Sequence, residues 1–200
     1  VNISHKELEK FWEMNKGWVE GYPLILQVGM VSPSKDQLTT LMALKALKRK
    51  YPKVKCFFAG YFDEKDGYYV LLRNYISSAG LKENVCFLGH VSPNFLKVFY
   101  RMVDLAVFPG KGQGSWLSPL EALVSGLPVT VSERLPCSKL VSKWMLTFNG
   151  AEDLALNIER IVGLHDWWRG KAKLAQQYIL ENLTWENYCE KVLKVISSLF

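Results

Sequence analysis

Short apolar runs closed by glycine or proline, separated by stretches of helical periodicity, restrict this chain more than any other feature. Leu24-Ile25-Leu26-Gln27-Val28 stops at Gly29, Val54 to Ala59 at Gly60, Asn84 to Leu88 at Gly89, and Leu105 to Phe108 at Pro109. Leu127 to Val131 is a fifth run and Trp144 to Phe148 a short sixth. Such runs are too short for helices and largely lack alternating polar positions, as expected of strands buried on both faces. Between them, Leu38, Leu41, Leu44, Leu47 and Tyr51 recur every three or four residues, as do Phe95, Val98, Phe99 and Met102. That is the spacing of helices with one buried face. The alternation predicts an α/β fold, a parallel sheet of about six strands with helices on both faces.

Helix starts are read from capping chemistry. Ser34 with Gln37 has capping-box spacing, which makes Ser34 the N-cap and Lys35 the first helical residue. Ser118 with Glu121 repeats the box, with Pro119 at the first helical position. Asn149 is expected to cap a helix from about Ala151 to Val162, followed by helices from about Asp166 to Glu181 and Trp185 to Leu199. Trp167, Trp168, Trp185 and Tyr188 are expected to serve core and helix packing.

The stretch Gly110-Lys111-Gly112-Gln113-Gly114-Ser115-Trp116-Leu117-Ser118 joins the fourth strand to the next helix. Three glycines in five residues let backbone approach a ligand closely. A helix N-terminus just beyond supplies free amides and the positive end of its dipole, a ready site for an anion. Neither G-x-G-x-x-G nor the glycine-lysine-serine/threonine phosphate loop is present. A plain strand-to-helix turn is the simpler alternative.

Charge sets limits on partners. There are 25 basic residues against 19 acidic, and Lys45, Lys48, Arg49, Lys50, Lys53 and Lys55 cluster around Tyr51-Pro52. Without interleaved aromatics this reads as a solvated helix end rather than a nucleic-acid surface. The four cysteines form no C-x-x-C, and the three histidines have no metal-like spacing, so no structural metal is expected. No apolar run reaches membrane-spanning length. A reducing, cytoplasmic setting follows, with peripheral membrane association as an extension. The first residue is Val1 rather than Met, which is expected of a processed piece or fragment.

With strands and helices in this order, the chain resembles the C-terminal half of a GT-B glycosyltransferase, most like the large retaining family four group. Val28-Gly29-Met30 with Pro33 and Lys35 is similar to that family's Val-Gly-Arg…Lys segment. Phe87-Leu88-Gly89-His90-Val91 resembles its Phe-Leu-Gly-Phe-Val, and Val103-Asp104-Leu105-Ala106-Val107-Phe108-Pro109 its Ala-Asp-Val-Phe-Val-Phe-Pro. Leu120-Glu121-Ala122-Leu123 with Gly126-Leu127-Pro128-Val129 resembles Leu-Glu-Ala-Met…Gly-Leu-Pro-Val, and Leu183-Thr184-Trp185-Glu186 the Phe-Ser-Trp-Glu before the last helix.

The resemblance implies a Rossmann-like donor domain over residues 23–200, preceded by a hinge over 1–22, from which an N-terminal acceptor domain is missing. It implies no cofactor but a nucleotide-sugar (UDP-, GDP- or ADP-sugar) as substrate, with a lipid-linked or glycan acceptor. Lys35 matches the lysine that neutralises the donor diphosphate, and Glu121 the second glutamate of Glu-x7-Glu, a ribose ligand. Gln113 stands at the first glutamate and Met30 at the arginine. Catalysis would thus involve Lys35, Gln113 and Glu121. Donor binding would add Gly29, Met30, His90, Val91, Gly114, Ser115, Trp116 and Leu117, and no metal would be required. The alternative is a divergent, non-catalytic nucleotide-sugar-binding or scaffolding domain. A further rival, an unrelated nucleotide-dependent enzyme such as an epimerase, lacks its G-x-G-x-x-G.

Overall fold

In the computed structural model, residues 20–112, 117–140 and 142–198 are described. Strands β1 (Leu24–Val28), β2 (Lys55–Ala59), β3 (Val85–Gly89), β4 (Leu105–Phe108), β5 (Val129–Ser132) and β6 (Leu146–Phe148) form one sheet. All pairings are parallel and the order is β3-β2-β1-β4-β5-β6. Six runs read from the sequence therefore become six strands, β1 and β4 with the expected ends and the others with ends moved by at most two residues.

The helices are α1 (Gln37–Leu47), α2 (Gly67–Ser78), α3 (Pro93–Met102), α4 (Leu117–Val124), α5 (Cys137–Leu140), α6 (Ala151–Gly163), α7 (His165–Asn182) and α8 (Trp185–Ser197). Strand side chains alternate between faces, so the sheet divides the core in two. Ile25, Cys56, Phe58, Leu105 and Val107 pack with Leu41, Leu44 and Leu47 of α1, Leu72 of α2 and Ile158 of α6. Leu24, Leu26, Phe57, Ala106 and Phe108 pack with Phe99 of α3, Leu123 of α4 and Ala172 of α7. Both faces being covered is why the strands are almost wholly apolar.

Three expected caps are corrected. Helix α1 starts at Gln37 after Asp36, because residues 33–36 form a turn; Ser34 caps nothing and Lys35 precedes the helix. Helix α4 begins at Leu117, one residue before the expected cap Ser118. At α6 the cap position is Gly150, and the roles reverse: the Asn149 backbone amide donates to Asp153 Oδ2 at 3.0 Å. Thr184 does cap α8, accepting from the Asn187 amide at 3.2 Å.

The aromatic assignment is also corrected. Only Trp168 of its four residues is buried, while Trp167, Trp185 and Tyr188 are exposed. Helix α8 has no buried residue at all, although Trp185, Tyr188, Val192 and Ile196 line one of its faces. Helical periodicity identifies an apolar face but not whether anything covers it. No described helix is long and apolar enough to cross a membrane.

Candidate functional site

Chain order reverses between β1 and β4, the two strands at the centre of the sheet. Loops leaving neighbouring strands there turn to opposite faces and open a crevice at the carboxyl ends, where ligands bind in open α/β sheets. The loop after β1 carries Gly29, Met30 and Lys35, and the loop after β4 leads to Leu117 and Glu121. Segments far apart in the chain thus meet at one rim.

The β1 loop is tightly scaffolded. Gly29 has φ 139°, a left-handed value disfavoured for any residue with a Cβ, and the Lys35 methylenes lie 3.1 Å from where that Cβ would be. The lysine stem therefore crosses the end of β1, and burial lowers the Lys35 pKa. A partly desolvated ammonium responds to an arriving anion more strongly than a fully hydrated one.

Two buried glutamines hold the loop. Gln27 of β1 donates from Nε2 to the Lys35 carbonyl at 2.8 Å and accepts from Thr40 Oγ1 at 2.7 Å. Gln37 donates to the Met30 carbonyl at 3.1 Å and accepts from the Ser32 amide at 3.3 Å. Asp36 takes φ 53°, and its carboxylate accepts from Thr39 Oγ1 at 2.8 Å and pairs with Lys111 Nζ at 3.1 Å. The Lys111 amide also donates to the Ser34 carbonyl at 2.8 Å, tying the two loops together. From sequence, Gln37 is expected only as the capping-box partner of Ser34, and Gln27, Asp36 and Lys111 carry no expected role. A signal was present in Gln27, a polar side chain inside an apolar strand, where buried amides need partners.

Replacing Gln27 by leucine leaves the buried Thr40 hydroxyl and the Lys35 carbonyl without this partner. An unpaired buried group costs about 1–3 kcal/mol, so Gln27→Leu should lower stability by at least about 2 kcal/mol. The urea midpoint measures this, and an unchanged midpoint would show that the loop is held by other means.

Those of the remaining expected residues that the structure describes lie around the same rim. Leu117, the first residue of α4, and Glu121, one turn further on, are both exposed. Met30 is 54% exposed. His90 and Val91 border a mostly apolar recess of about 370 Å³ with Leu88, Phe95 and Phe99. Gln113, Gly114, Ser115 and Trp116 lie outside the described residues. A second hollow, of about 220 Å³, lies between the start of α1 and the carboxyl ends of β4, β5 and β6, and includes Asp36, Lys111, Arg134 and Asn149, none of them expected from sequence as site residues. Among the described residues no His, Cys, Asp and Glu group has the arrangement of a metal site. Cys56 and Cys137 are buried, and burial pushes the Cys137 thiol up to about 11, so neither is a ready nucleophile.

A doubly covered parallel sheet with a lysine and a helix N-terminus flanking its switch point defines a Rossmann-like domain with a candidate anion site. The sequence model of the family "Glycosyl transferases group 1" matches residues 9–195, and the chain belongs to that family. It is 25% identical over 204 residues to an uncharacterised glycosyltransferase of Methanocaldococcus jannaschii, covering 92% of this chain and 50% of that protein. It is 25% identical over 177 residues to the serotype-specific mannosyltransferase WbdA of Escherichia coli, covering 86% of this chain and 21% of the relative. The chain thus spans half or less of these relatives.

Among solved structures, HepE of Anabaena in complex with UDP aligns with a TM-score of 0.79 at 20% identity, covering 98% of this chain and 54% of that one. The C-terminal domain of a group 1 glycosyltransferase (LpcC) from Francisella tularensis aligns with a TM-score of 0.75 at 17% identity, covering 88% and 92%. The architecture is that of the C-terminal half of a GT-B fold.

Proposed function

We propose that this chain is the donor-binding domain of a retaining, metal-independent glycosyltransferase that moves a sugar from a nucleotide-sugar to an acceptor hydroxyl. The observation that carries the reading is Lys35 lying across Gly29 at the switch point, beside the loop that leads to the α4 N-terminus. The diphosphate is taken by the Lys35 ammonium and the amides of Ser115 to Leu117, the ribose by Glu121, and the base by the recess beside His90 and Val91. Gln113 replaces a carboxylate toward the sugar, and Met30 adds no charge.

As the bond from the anomeric carbon to the distal phosphate oxygen breaks, negative charge develops on the leaving diphosphate. Lys35 and the helix N-terminus are aimed where that charge appears, and fixed dipoles need no reorganisation. This positive charge takes the role that a metal ion plays elsewhere. The sugar goes to the acceptor oxygen, whose proton is lost, and the nucleoside diphosphate leaves. We place the acceptor site on a preceding half joined through residues 1–22. Without that half the chain is expected to bind donor but transfer little. The acceptor is lipid-linked or a glycan.

Thermal melting with UDP, GDP, ADP and their sugars tests this. A ligand at one hundred times its Kd adds about 2.7 kcal/mol, which for a chain of this size is roughly 5–10 °C. At least one nucleotide should give that shift, and EDTA should leave it unchanged. No shift with any of them would overturn donor binding in favour of scaffolding.

A further inference from the structure

Tyr100, in the last turns of α3, is 3% exposed and packs in the same core as Leu120 and Leu123 of α4. Its hydroxyl is buried and lacks a hydrogen-bond partner among the described residues. A phenylalanine would fill this space equally well, and an unpaired buried hydroxyl is costly, so the oxygen needs another explanation. The Glu121 carboxylate lies beside it, close enough that, after burial itself, its charge is what raises the phenol pKa. No hydrogen bond of good geometry closes between the two in this structure.

We infer that Tyr100 is a positioning residue: its hydroxyl donates to one oxygen of Glu121 and fixes the carboxylate for a ribose hydroxyl of the bound nucleotide. This deepens the donor-binding reading and rests on it. Glu121 is exposed, with several rotatable bonds, and ordering such a side chain on binding is unfavourable. A donor anchored in the core removes part of that cost, because one carboxylate oxygen is held from the protein side while the other meets the ribose. The phenol suits this post because it is rigid, reaches from α3 to α4 and remains protonated.

The test uses the full chain and titration calorimetry with whichever of UDP, GDP and ADP the melting panel identifies, beside its 2′,3′-dideoxy analogue. Tyr100→Phe should bind the ribonucleotide about tenfold more weakly than wild type, about 1.4 kcal/mol. It should bind the dideoxy analogue with unchanged affinity, and its melting temperature without ligand should not fall. Equal weakening toward both nucleotides would indicate a packing role and overturn the inference, as would no weakening toward either.

Glu121→Gln separates the two readings. If it leaves ribonucleotide binding unchanged, the ribose role of Glu121 fails and Tyr100 loses its function with it. If it weakens binding while Tyr100→Phe does not, only the Tyr100 inference fails. In the double variant the two losses should not add, since the phenol acts through the carboxylate.

Discussion

Substituting Gly60 by alanine should destabilise the protein more than any other single-methyl addition among the described glycines. A Cβ at this position would lie 2.1 Å from the Gly29 carbonyl oxygen, 2.4 Å from its carbon and 2.8 Å from the Met30 nitrogen. All three are backbone atoms, so no rotamer change relieves the clash. The neighbouring ladder allows no retreat, because the Gly60 amide donates to the Gly89 carbonyl at 2.9 Å and the Gly29 amide to the Ala59 carbonyl at 2.9 Å. Overpacking a core with side chains costs about 1–3 kcal/mol and occasionally more; against paired backbone, about 3 kcal/mol or more is expected.

The damage falls on the loop that carries Lys35, so any nucleotide-induced melting shift should vanish together with stability. A control is Gly170, inside α7 with open space around it, where alanine should stabilise by about 1 kcal/mol. Urea denaturation of both variants decides the matter. Gly60→Ala unfolding at the wild-type midpoint would mean that β1 and β2 can part cheaply.

Loss of Lys35 should affect binding and stability in opposite directions. A hydrogen bond to a charged group contributes about 1.5–3 kcal/mol, so Lys35→Met should weaken diphosphate binding about ten- to a hundredfold. Without ligand the effect reverses. Burial lowers the lysine pKa below its unfolded value, so the charged form is penalised in the folded state. That penalty is fully present below the folded pKa and disappears as pH rises from there to the unfolded value. At neutral pH the methionine variant should therefore melt no lower than wild type.

Nucleotide affinity of the wild type should fall as pH rises through the lowered lysine pKa, earlier than for a normal lysine, because the diphosphate needs the ammonium. The variant should show no such slope. Calorimetric titration from neutral to alkaline pH checks both, and a parallel decline in the variant would remove Lys35 from the site.

Strand positions were legible because the runs are short and apolar, and the first four end at a glycine or proline at the sheet rim. Helix faces were legible from spacing, as Leu41, Leu44 and Leu47 show. The caps were not. Ser34 and Asn149 have suitable side chains, but Asp36 in a left-handed conformation and Gly150 occupy the cap positions, because loop geometry rather than capping preference sets where those helices begin. Tyr100 gave no signal, since a tyrosine in an amphipathic helix reads as packing until its hydroxyl is seen without a partner.

By itself, the order of residues determined the α/β class, the six strands and the glycine-bounded rim, because burial and backbone freedom are local demands written in residue type. Tertiary structure alone decided that Gln27, Gln37 and Lys111 brace the Lys35 loop, that Gly60 abuts Gly29, and that Trp167, Trp185 and Tyr188 stay exposed. Each of those depends on which segments become neighbours across the sheet, and a pairing between distant segments leaves no period in the chain.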